Sequence, residues 1–144
     1  MNNIKNLIIY LFNLCICIEI YLYFNINNIN INNKGALLLH IISKIGLIYA
    51  IFNNNKKLVK YFHILFGINI ILIPLLANDV NILLYHTMIL FVILFLRRRY
   101  DYCIIRDFEV SNKEKIKKSF KWDYINLYMG LFCLFRVLFI INKT

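Results

Sequence analysis

Five stretches of this chain, residues 7–24, 36–52, 61–77, 80–96 and 124–141, run for 17 or 18 residues almost without charge. As helices rising 1.5 Å per residue, such runs extend about 26 Å, close to the hydrocarbon thickness of a bilayer. In lipid, every backbone N–H and C=O must be satisfied within the protein, so only helices and closed barrels cross. A large barrel with a polar lumen needs more than 144 residues, and one Pro and four Gly among frequent Ile, Leu and Phe favour uninterrupted helices. The expected fold class is all-α, a polytopic transmembrane bundle of four to five helices. A composition of 61% hydrophobic and 17% charged residues excludes a soluble fold, which could not hide that much apolar surface. The shortness of the runs suits the thin bilayer of the endoplasmic reticulum. The first run lacks a small-residue cleavage site and is longer than a signal-peptide core, as in an uncleaved anchor.

Charge sets the orientation. Lys56, Lys57 and Lys60 lie between the second and third runs, and nine basic residues from Arg97 to Lys121 lie between the fourth and fifth, whereas the other connections hold little besides Lys34 and Asp79. The positive-inside rule then places the N-terminus and the basic segment 97–122 in the cytosol and the C-terminus in the lumen. The same pattern excludes nucleic acid as a partner despite the net charge of +10, because the cations follow membrane orientation and no recognition motif accompanies them. The two-residue link Asn78-Asp79 makes the third and fourth runs an antiparallel hairpin.

Within the basic segment, Ser111 followed by Glu114 has the spacing of a helix capping box, and Lys113, Lys117 and Lys121 recur every four residues. A short cytosolic interfacial helix is expected over 111–122, ending at Trp122 and Tyr124, aromatic residues of the kind that mark a membrane boundary.

Glu19, His40, Lys44, His63, His86 and Arg136 interrupt or border the apolar runs, where polar groups are costly and turn inward or snorkel. His40 and Lys44 share a helix face. Arg136 can reach toward headgroups or pair with Glu19. His63, His86, Asn69 and Arg136 are candidates for interhelical hydrogen bonds with a client helix. Imidazoles from separate helices also ligate haem. His63 and His86, however, differ in depth by about 12 Å when counted from the turn at 78–79, so only His40 with His86 is easily combined. His63 followed by Gly67-Ile68 faintly resembles the haem-bearing anchor subunits of succinate dehydrogenase. No haem, other cofactor or metal is expected. Cys15-Ile-Cys17 lacks the CxxC spacing of redox and zinc motifs. No nucleophile, base and orienting acid are spaced as a unit and no Gly-rich phosphate loop occurs, so a non-enzymatic protein is expected.

From Arg98 the sequence RRYDYCIIRDFEVSNKEKIKKSFKWDY resembles the cornichon family of cargo receptors, in the segment leading to that family's last helix. Arg98, Arg99, Phe108, Asn112, Glu114, Lys115, Lys117, Phe120 and Lys121 match the pattern in order and without a gap. The resemblance implies a core of four helices over residues 36–144, with residues 1–35 as an added membrane segment and Asn-rich loop. It also implies a role in vesicle-mediated transport between endoplasmic reticulum and Golgi, with client transmembrane proteins, the lipid bilayer and the COPII coat as partners. The family's coat-contact segment falls on residues 107–111, where Phe108 is the shared residue. The alternative expectation is an accessory subunit of a respiratory complex in the mitochondrial inner membrane.

Overall fold

The computed structural model describes residues 2–25, 31–100, 103–108 and 120–142. Each apolar run corresponds to one helix, the third stopping one residue short at its extended cap Ala77: α1 (Asn2–Asn25), α2 (Ile31–Phe52), α3 (Lys56–Leu76), α4 (Val80–Tyr100) and α5 (Phe120–Ile141). All five are long and apolar enough to cross a bilayer, which makes this an integral membrane protein with an all-α bundle. The helices outrun the apolar stretches because backbone hydrogen bonding continues through the flanking Asn, Lys and Arg. Segments of 19 to 22 residues cover about 29–33 Å, enough for a bilayer of ordinary thickness, so the expected cue for a thin membrane disappears. The boundary expected between residues 35 and 36 falls inside α2. The interfacial helix expected over 111–122 lies mostly outside the described residues. Its last three positions open α5, and upstream of it a short 3-10 helix spans Ile104–Phe108.

Three consecutive asparagines make the link between α2 and α3. Asn54 takes a left-handed conformation (φ 52°), which Asn tolerates better than most residues. Its N–H donates to the Ile51 carbonyl at 3.3 Å and that of Asn55 to Ala50 at 2.9 Å, the paired bonds of a Schellman ending. Asn55 then caps α3 by accepting from Leu58 N–H at 3.2 Å. The two helices so joined pack closely: a Cβ on Gly46 would lie 2.3 Å from the Phe62 ring, so only glycine lets α3 approach α2 here.

Helix α2 also receives α1, while α4 lies along α5 and α3 touches both members of that pair. Two apolar clusters fill the bundle. Leu37, Ile73, Ile82, Leu83 and Cys133 belong to the one toward the Asp79 face; Leu47, Ile51, Val59, Phe66 and Leu90 belong to the one toward the basic face.

Pro74 sits inside α3 without breaking it. It has no N–H to give the Ile70 carbonyl, the usual partner four residues back. His86 Nε2 of α4 occupies that carbonyl at 3.0 Å. Arg136 of α5 serves the end of the same helix, donating to the Pro74 carbonyl at 2.6 Å, to that of Leu75 at 3.2 Å and to Asn78 Oδ1 at 2.6 Å. Asn78 N–H in turn donates to Asn33 Oδ1 at 3.1 Å, and Asp79 caps α4 by accepting from Asn81 and Ile82 N–H. At the opposite face Arg97 Nε donates to Asp123 Oδ1 at 2.5 Å, pinning α4 to α5. Replacing Arg136 with Leu strips two helix-end carbonyls of their donor. Thermal unfolding in detergent is expected to show a loss of about 1–3 kcal/mol, and Arg136→Lys a smaller one; an unchanged melting curve for Arg136→Leu would contradict this role.

Candidate functional site

Between the two apolar clusters lies a layer of polar side chains removed from solvent and lipid: Glu19, His40, Ser43, Lys44, Asn69, His86 and Thr87 are all buried. Its centre is Glu19 of α1. One carboxylate oxygen, Oε1, takes a hydrogen bond from the Lys44 ammonium and another from the Tyr85 hydroxyl at 3.0 Å, and lies 2.6 Å from His40 Nδ1. Lys44 Nζ also reaches His40 Nδ1 at 2.9 Å, as the four-residue spacing on α2 requires. The Tyr85 hydroxyl, from α4, also lies 3.1 Å from the Cys15 carbonyl, so that its single proton is shared between that carbonyl and Glu19. One helix thus supplies the acid, a second the two bases, and a third the hydroxyl that clamps the first.

A charged residue near the centre of an isolated membrane helix costs about 2.5–3.5 kcal/mol on insertion scales, so Glu19 and Lys44 each need the other. His40 Nδ1 meets a carboxylate and an ammonium at once. Donating to Glu19 makes it face the Lys44 donors; accepting from Lys44 makes it face the carboxylate lone pairs. The cluster therefore cannot satisfy all its contacts in a single proton arrangement. Among the described residues, three buried atoms, Glu19 Oε2, His40 Nε2 and His86 Nδ1, have no hydrogen-bond partner.

Asn69 ties α3 to this layer by donating to the Leu39 carbonyl at 3.1 Å, and lies 3.5 Å from Ser43 Oγ. His40 and His86 do come together, with ring centroids 5.8 Å apart and planes at 53°. Phe66 stacks on the His40 ring with centroids 5.3 Å apart, and His86 Nε2 is used on the Ile70 carbonyl, so that nitrogen is already engaged. His63 sits apart from His86, beside Cys103, whose Sγ is 3.4 Å from His63 Nε2.

The seam between α1 and α4 is open except where Tyr85 bridges it. It forms a groove of about 470 Å³ lined by Phe12, Ile18, Leu84, Met88 and Val92 among others, with Lys44 and Tyr85 as polar points midway. Leu14, Ile18, Leu84, Met88 and Val92 on its walls are exposed, so the groove opens sideways into lipid. Cys103, Ile104 and Ile105 close it toward the basic face, where Arg97 also lines it.

Arg136 does not pair with Glu19, because α5 stands against α3 and α4 and its guanidinium is used at the end of α3. Arg98 and Arg99 are exposed on the last turn of α4, where positive charge complements the helix dipole. Phe108, expected at a coat contact, is half-buried and packs against the cluster toward the basic face. Asn112, Glu114, Lys115 and Lys117 lie outside the described residues; Phe120 and Lys121 begin α5. The pairing of Glu19 with Lys44 and the part played by Tyr85 were not anticipated. The available signal was that Glu19 is the only acid within the five apolar runs and must find a cation.

No family model, curated protein or solved structure matches the chain.

Removing one member of the buried pair leaves the other charge stranded. Glu19→Leu and Lys44→Met are each expected to lower unfolding stability in detergent by about 3–5 kcal/mol, and the double variant to regain most of that. A double variant that lost the sum of the two single effects would show that the charges are not coupled.

Proposed function

We propose that the protein is a non-enzymatic escort of membrane proteins, a cargo receptor of the early secretory pathway that receives client transmembrane segments along the groove between α1 and α4. The observation that carries this reading is the groove itself. It is apolar for most of its length, open to lipid, and provided midway with the Tyr85 hydroxyl, behind which Lys44 is buried. Helices associate in lipid by close packing and a few interhelical hydrogen bonds, and a client segment with a polar residue at that depth meets the partly buried Tyr85 oxygen. The layer around Glu19 ties α1, α2 and α4 together and so holds the two walls in register.

The resemblance of residues 98–121 to the cornichon family supports the same reading, with Arg98 and Arg99 presented on the cytosolic face. The half-buried Phe108 gives no support to coat binding through that residue, so a COPII contact rests with the basic residues around it.

Two measurements test the proposal together. The tagged protein is expected in the endoplasmic reticulum and early Golgi. A photo-crosslinking residue at Met88 is expected to capture membrane proteins whose export slows when this protein is removed, whereas the same residue at Phe135, on α5, does not. Residence in mitochondria would overturn the proposal, as would equal capture at both positions.

A further inference from the structure

Four cysteines occur in the chain, and three of them lie within helices at depth: Cys133 is fully buried, and Cys15 and Cys17 lie past the middle of α1. Cys103 differs in its place along the chain and in its neighbour. It follows α4 at the basic face, immediately before the 3-10 helix Ile104–Phe108, where a water-soluble reagent can arrive. Like Cys15 it is partly buried, but it lies outside the membrane-crossing helices. It is also accompanied, since His63 of α3 brings Nε2 to 3.4 Å from its Sγ, a base at the distance needed to take the thiol proton. Independently of that pair, Cys103 belongs to the wall of the groove and sits with Ile104, Ile105 and Arg97 at the end nearest the basic face. From there the groove continues along α4 as far as Asn81, sixteen residues and about 24 Å from Arg97, lined almost entirely by apolar side chains. A nucleophile and its base thus stand at one end of a long apolar groove whose side is open to lipid.

We propose that Cys103 is a site of S-acylation, accepting a long-chain fatty acyl group from an acyl-coenzyme A thioester, with the acyl tail laid into the groove between α1 and α4. Cys103 Sγ attacks the thioester carbonyl carbon and forms a new S–C bond. The bond from that carbon to the coenzyme A sulfur breaks, and the thiol proton passes through His63 Nε2 to the departing thiolate. One thioester replaces another, so no oxidant or reductant is required. Arg98 and Arg99, exposed on the last turn of α4, supply positive charge near this end of the groove for the phosphates of the donor. The groove supplies the preference for a long chain, because each methylene entering it leaves water for an apolar lining. Acylation of cysteines beside membrane helices follows the same physical logic. The inference stands on the Cys103–His63 pair and the groove, not on the escort reading, and its test reads Cys103 directly.

The full-length protein in detergent micelles is incubated with palmitoyl-coenzyme A or acetyl-coenzyme A and analysed by intact mass and peptide mapping. Palmitoyl-coenzyme A is expected to give an adduct on Cys103 that neutral hydroxylamine removes. The adduct is expected to vanish in Cys103→Ser and to persist in Cys15→Ser, Cys17→Ser and Cys133→Ser. His63→Gln, checked for an unchanged helical circular dichroism spectrum, is expected to slow acylation on the order of a hundredfold, the usual contribution of a positioned base. Ile104→Trp, which fills the groove end, should reduce transfer from palmitoyl-coenzyme A while leaving transfer from acetyl-coenzyme A unchanged. No thioester on Cys103, or one spread evenly over the four cysteines, overturns the proposal. An unaltered rate in His63→Gln overturns the role of the base, and an unaltered chain-length preference in Ile104→Trp overturns that of the groove.

Discussion

A carboxylate inside a membrane has to meet a cation or leave, and the meeting of Glu19 with Lys44 organises much of this bundle. The pair joins α1 to α2, and the Tyr85 hydroxyl brings in α4 on the same oxygen. Apolar packing is a weak organiser in lipid, since a leucine facing a neighbouring helix gains little over one facing an acyl chain. The geometry of α1 is therefore set less by its apolar residues than by one acid. The groove follows from this arrangement: α1 is held to α4 through Tyr85 at mid-depth, and the walls above and below that bridge stay apart.

Helix α3 shows a second economy of polar groups. Pro74 releases a carbonyl, and a histidine from the next helix takes it; the helix then ends on carbonyls that Arg136 collects from α5. A helix defect and two costly intramembrane side chains cancel one another, leaving α3 linked to both partners in a way that apolar contacts alone would not specify. The interhelical hydrogen bonds of Asn33 and Asn69 add to this stitching.

Much of the architecture was legible from periodicity and charge. All five apolar runs are helices, and the turn at 78–79 makes the expected hairpin. The ionisable residues were visible too, since each interrupts an apolar run. Their partners were not. Arg136 and Lys44 are both cations that Glu19 could meet by depth, and only the adjacency of α1 to α2, a property of the packed bundle, decides between them. The separation of His63 from His86 was legible because a hairpin fixes depth, whereas the His63–Cys103 pair was not, because those residues are 40 positions apart across a loop. Asparagine carries more than loop: Asn33, assigned from sequence to the Asn-rich loop, closes the Asp79 face, while Asn54 and Asn55 perform distinct capping tasks on the other side.

The Glu19–Lys44 pair also dictates an order of synthesis. Glu19 leaves the ribosome 25 residues ahead of Lys44, and until the second helix follows, α1 carries an unneutralised acid worth a few kcal/mol against entry into lipid. The first two helices must therefore wait for one another at the insertion channel and partition as a hairpin. Translation speed across residues 26–44 becomes a determinant of how much of this protein reaches the membrane correctly folded.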